Sequence, residues 1–123
     1  MKNSFLVVLL LGFLAFKKTN NDAIIKGKLV HRSCASIVVQ VLDANFYSLG
    51  QSSWQQSPSK PVYQHVFKVD DNCSFPLMEE GQEFTFKVLN NNTDRGNCYV
   101  CALFDNPPAK TQHIAVINKD GID

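Results

Sequence analysis

Residues 83–89 read Glu-Phe-Thr-Phe-Lys-Val-Leu. Phe84, Phe86 and Val88 alternate with Thr85 and Lys87, and a side-chain period of two is that of a β-strand burying one face. Working outward, residues 62–69 (VYQHVFKV) alternate in the same way, with Tyr63, His65, Phe67 and Val69 on one side and Gln64 and Lys68 on the other. Residues 24–31 (IIKGKLVH), 37–43 (IVVQVLD), 98–104 (CYVCALF) and 113–118 (HIAVIN) are equally short, β-branched and aromatic, and turn-forming Gly, Pro, Asn, Asp and Ser clusters separate them. Residues 37–42 and 114–117 are apolar on both faces apart from Gln40, which predicts central strands. No window carries the period of a long amphipathic helix; residues 76–81 (PLMEEG) have room for one helical turn.

Six short strands with turns between them predict an all-β domain, either a small antiparallel barrel or a sandwich. An OB-like barrel is favoured: the long stretch 26–43 suits a bent first hairpin, and 81–87 (GQEFTFK) suits a strand entering the barrel. An immunoglobulin-like sandwich is the alternative. It usually takes about seven strands, so one would have to lie in the loop carrying Asn91-Asn92-Thr93. The irregular stretch 44–61 (ANFYSLGQSSWQQSPSKP) exceeds ordinary loop lengths, and such loops are more often functional or disordered than incidental.

Ahead of this domain, residues 5–16 (FLVVLLLGFLAF) are apolar and follow Met1-Lys2-Asn3-Ser4, the pattern of a secretory signal. As helix they would cover about 18 Å, short of a ~30 Å hydrocarbon core, so no stable membrane span is expected. Residues 1–16 are thus read as a leader, 17–23 as a polar linker, 24–119 as a single β domain and 120–123 as a tail. A secreted, periplasmic or cell-envelope location follows. The formal net charge is only +1 and its members are scattered. Nucleic-acid binding needs a concentrated basic face that displaces counterions, and a polybasic membrane patch needs the same, so neither partner is expected.

Cys34, Cys73, Cys98 and Cys101 are an even set in an exported chain, which predicts two disulfides. On a strand, Cys98 and Cys101 would stand about 10 Å apart on opposite faces. A disulfide needs Cα atoms within about 7 Å, so each of the pair is expected to join Cys34 or Cys73. The alternative reading of Cys98-Tyr-Val-Cys101 is thiol-redox or zinc chemistry. Thioredoxin-type chemistry places the first cysteine at a helix N-terminus, whereas Pro107-Pro108 closely follows here. Structural zinc commonly uses two such cysteine pairs, and this chain has one.

Other chemistry is sparse. His31, His65 and His113 share no ligand spacing, so rim and core roles are expected and no metal or cofactor is predicted. No serine lies in a Gly-x-Ser-x-Gly elbow, and Asp70-Asp71-Asn72 reads as a strand-ending turn. The chain is accordingly expected not to be an enzyme. Asn72-Cys73-Ser74 and Asn91-Asn92-Thr93 match the glycosylation pattern. Tyr47, Trp54 and Tyr63 fall in or beside the long loop among Gln51, Ser52, Gln55 and Gln56. Flat apolar faces among amides are the chemistry of a sugar- or peptide-binding surface, so these three are the candidate ligand-binding residues. The competing reading has Trp54 fold back and plug one end of the barrel.

Ser33-Cys34-Ala35, residues 63–69 (YQHVFKV), 73–76 (CSFP), 81–87 and 98–102 (CYVCA) together resemble small exported β-domain proteins of bacterial envelopes. The resemblance covers most of residues 24–118. It implies an exported β domain in which the four cysteines matter, and it carries over no functional residue. The sequence therefore predicts a non-catalytic exported domain, stabilised by disulfides, that binds a protein or glycan through residues 44–61 and an adjacent barrel face.

Overall fold

The structure, a computed structural model, describes residues 23–90, 101 and 105–119. Eight strands are present among them: β1 (Ile25–Arg32), β2 (Ile37–Val41), β3 (Trp54–Gln55), β4 (Val62–Tyr63), β5 (Val66–Val69), β6 (Glu83–Val88), β7 (Thr111–Gln112) and β8 (Ile114–Lys119). Six form one curled sheet in the order β7-β5-β2-β1-β6-β8, and β3 pairs with β4 in a separate hairpin. The all-β, barrel-like expectation is therefore met.

Connectivity explains the curl. β1, β2 and β5 form an antiparallel meander, and β6 returns to pair with the outer side of β1. β7 and β8 stand at opposite ends of the sheet order, yet only His113 separates them in the chain. One segment thus pairs with β5 at its start and with β6 over the rest. This is an OB-like arrangement. The β5–β7 pair is parallel, the one departure from antiparallel pairing among these strands. The six main strands share a single sheet, so the immunoglobulin-like alternative is not the arrangement found.

The core follows from the pleat. Ile25 and Leu29 from β1, Ile37, Val39 and Val41 from β2, Phe67 and Val69 from β5, and Phe84 and Phe86 from β6 all point inward. Phe67 meets Phe86 edge-on at 5.7 Å, and Phe75 meets Phe84 at 5.6 Å. Each such ring, fully buried, contributes roughly 1.5–3 kcal/mol over leaving it exposed. Gly27 makes the packing possible, since a Cβ there would lie 2.8 Å from the Phe86 ring and 3.0 Å from Val39. Phe75 and Met78 reach the core from the connection between β5 and β6, which begins with Asp71 Oδ1 accepting from Cys73 N and Ser74 N. This is the turn expected of Asp70-Asp71-Asn72. Residues 76–81 form turns and irregular backbone, without the helical turn their sequence allowed.

The outer face of β1, β2 and β5 is also apolar. A bulge between Leu29 and His31 adds one residue to β1, and Val30 joins Val38, Val66 and Trp54 in a second buried cluster with Tyr63 against it. The β3–β4 hairpin covers that face. Residues 44–61 are thus ordered, as a short 3₁₀ segment (Ala44–Leu49) followed by this hairpin.

Two strand expectations change. The run 62–69 is broken at His65, whose φ of 59° turns the chain between β4 and β5. Residues 114–117 do not form a central strand: Ile114 is buried but Ile117 is 46 % exposed, because β8 pairs with β6 on one side only. Of the expected strand 98–104, only Cys101 lies among the described residues, and it is outside any strand. The leader, Asn91-Asn92-Thr93 and Cys98 also lie outside them. Among the described residues no helix is long and apolar enough to cross a membrane.

Candidate functional site

At the turn that joins β1 to β2 the chain converges on Asp105. Ser33 begins the turn: its Oγ accepts from Ala35 N and Ser36 N, both at 3.1 Å. The Ser33 and Ser36 hydroxyls both donate to Asp105 Oδ2, the latter at 2.5 Å, and His31 Nε2 lies 2.7 Å from the same oxygen. Gln56 Nε2 approaches Oδ1 at 3.5 Å. Burial of Asp105 raises its carboxyl pKa, but hydrogen bonds from Ser33, Ser36 and His31, with the charge of His31, outweigh this and hold it below the ordinary carboxylate value. Oδ2 of the carboxylate is therefore shared by three side chains, with a fourth at Oδ1. In a nucleophilic triad the imidazole lies between serine and carboxylate and takes the hydroxyl proton. Here both serines donate directly to the carboxylate, which differs from that arrangement.

A covalent tie reinforces this cluster. Cys34, between Ser33 and Ala35, is bonded to Cys101, with a Cα separation of 5.6 Å. Joining residues 67 apart contributes about 4 kcal/mol in the chain-entropy model. Cys101 thus bonds to Cys34, one of the two partners that the sequence left open for it. Cys73 is also disulfide-bonded, and no described cysteine is free.

The next residue carries the order outward. Asn106, in the left-handed region with φ 44°, accepts the Trp54 indole N–H on its carbonyl at 2.9 Å. Its own amide donates to the carbonyls of Gln55 and Gln56 at 3.4 and 3.0 Å. Residues 105–106 thus connect the β1–β2 turn to the covering hairpin. Between these parts lies a cleft of about 310 Å³, lined by His31, Trp54, Gln56, Lys60, Tyr63 and Glu80, among others. His31 meets the Trp54 ring edge-on at 6.1 Å, and Tyr63 stacks against Trp54 at 6.3 Å.

The three aromatic candidates are divided between two places. Trp54 and Tyr63 share this cleft, where Trp54 is 6 % exposed and packs over the sheet's outer face. It does fold back, but onto that face and not into the barrel's end. Tyr47 stands elsewhere, stacked on His65 at 3.7 Å. The three histidines serve different surroundings: His31 bonds Asp105, His65 stacks on Tyr47, and His113 Nδ1 lies 3.9 Å from Asp70. His65 is therefore a surface stacking residue, where a hydrogen-bonded core role was expected. Among the described residues no group of His, Cys, Asp and Glu is placed to hold a metal. Asn72 spends its amide on Ala35 O at 3.1 Å and is partly buried, so in the folded domain it is poorly presented for glycosylation.

Asp105, Ser33 and Ser36 were not identifiable as a group from sequence. The available signal was proximity to cysteines: both serines flank Cys34, and Asp105 follows Cys101 by four residues. With the pairing open, nothing joined the two stretches. No protein-family model, curated protein or solved structure matches the chain.

Proposed function

We propose that the protein is a non-catalytic, exported binding module whose cleft between His31, Trp54 and Tyr63 takes part of a protein or glycan ligand. The observation that carries this reading is the cleft's construction: aromatic walls, the amide of Gln56 and opposite charges on Lys60 and Glu80, gathered by loops that a disulfide and the Asp105 cluster hold in place. Apolar bodies with a few placed polar groups are the usual make-up of a ligand site, and about 310 Å³ suits one sugar unit or one side chain. OB-like barrels use the face of their second and third strands and the adjoining loops. Here the hairpin covers that face, which leaves the cleft beside it as the opening. The leader and the oxidised cysteines support export.

Screening the oxidised protein against immobilised glycans and a peptide library tests the reading. Tyr63→Ala is expected to weaken the best binder about tenfold or more, as loss of a central contact does. Undiminished binding by this variant would remove the cleft from the site. The second reading, thiol or zinc chemistry at Cys98 and Cys101, has against it the bond from Cys101 to Cys34. Intact mass after alkylation without reduction decides it: no added mass is expected, and alkylated thiols would favour the second reading.

A further inference from the structure

On the other side of the hairpin lies a wider groove of about 700 Å³, bordered by Tyr47, Gly50, Gln51, Ser52, His65 and Lys110 among its residues. Two features there act against easy folding. His65 has a φ of 59°, a region L-residues enter at a cost. Gly50 approaches it so closely that a Cβ would lie 2.3 Å from the His65 carbonyl carbon and 2.5 Å from Val66 N. The result is a Tyr47–His65 stack, face to face with the ring planes within 2° of parallel, on a surface where Tyr47 stays 37 % exposed. A stack that leaves Tyr47 this open to solvent gives little burial in return for that backbone.

Its surroundings define what it would accept. Gln51 Oε1 is taken by Ala109 N at 2.8 Å and Gln51 Nε2 by Ser53 O at 2.7 Å, so this amide is a fixed wall. Lys110 Nζ donates to Ser48 O at 2.7 Å, which holds one cation at the groove while its other N–H donors stay available. Among the described residues the groove's lining contains no acidic side chain. A ring for the open face of Tyr47 and a negative charge for the ammonium are the complementary features.

We propose that this groove is a second binding site, for a pyranose ring bearing a carboxylate, with the ring against the face of Tyr47 that His65 does not cover and the carboxylate at Lys110. This inference is independent of the cleft described above. Methyl β-glucuronide and its neutral counterpart, methyl β-glucoside, are the probes, titrated into the oxidised, isotope-labelled protein and followed by amide chemical shifts. The acidic sugar should move the amides of Tyr47, Gly50, Ser52, His65 and Lys110 and bind about two- to fivefold more tightly than the neutral one, the scale of one exposed charge pair. Lys110→Gln should abolish that preference and leave the weaker binding. Tyr47→Ala should remove binding of both while the melting temperature stays close to that of the parent. Equal binding of the two sugars, perturbation confined to the His31–Tyr63 cleft, or no perturbation at all would each overturn the proposal.

Discussion

The sheet has apolar residues on both faces, and the two are held by different means. Inside, Leu29, Val39, Phe67, Phe84 and Phe86 are fully buried by strands that pair along their lengths. Outside, Val30, Val38 and Val66 are covered by a hairpin of two-residue strands, fixed chiefly by Trp54 packing and the Asn106 hydrogen bonds. Pairing makes the inner face a property of the whole sheet. The outer face depends on a few distant contacts, and those contacts shape the cleft.

Four experiments would break or sharpen that contrast. The largest effect is expected from Phe86→Ala, about 4 kcal/mol of lost stability, since neighbouring strands cannot close around the cavity. Trp54→Ala should cost about 3 kcal/mol, and amide exchange should show the loss concentrated in the hairpin, with β1, β2 and β6 still protected. Equal protection loss throughout would mean that the two faces form one cooperative unit.

Replacing Cys34 and Cys101 together by Ala should lower stability by about 3 kcal/mol in denaturant unfolding, below the ~4 kcal/mol of the chain-entropy model because the unfolded chain retains some structure. It should also broaden the resonances of Ser33, Ser36 and Asn106 more than those of the inner strands. An unchanged midpoint would show that the Asp105 cluster alone holds the two stretches together.

The smallest effect is set by Asp105. Its pKa is lower in the folded protein than in an unfolded chain, so its contribution is present above the unfolded value of about 3.9 and is lost as pH falls through the lower folded value. Asp105→Asn should lower stability at neutral pH by about 1–2 kcal/mol and flatten the acid limb of the stability profile below about pH 4. An acid limb as steep in the variant as in the parent would assign that pH dependence to other carboxyls.

The same contrast explains what could be read in advance. The inner face was legible because alternation in 83–88 and 67–69 is a local signal that one buried face imposes. Val38 also hinted at a covered outer face, since it makes β2 apolar on both sides. The break at His65 was hidden, because neither glycine nor proline marks it and the alternation runs through it unchanged. Residues 114–117 misled for a related reason: apolar composition reports burial, not how many neighbours a strand has. Among the ligand candidates, composition grouped the aromatics in or beside one loop but could not divide Tyr47 from Trp54 and Tyr63. That division depends on Asn106 and Gly50, which act through distant backbone. The Asp105 cluster needed the cysteine pairing first.

The closing segment Thr111–Lys119 also sets the order in which the chain can complete itself. Ribosomes deliver β1, β2, β5 and β6 first, and until residue 119 follows, β5 and β6 each lack one ladder partner. Unpaired edges are templates for other nascent chains. Their partners arrive more than forty residues after β5 and more than twenty after β6, contacts of the kind that form slowly. A copy ending before Thr111 would therefore expose both edges permanently, and aggregates or strand-swapped dimers are its natural fate.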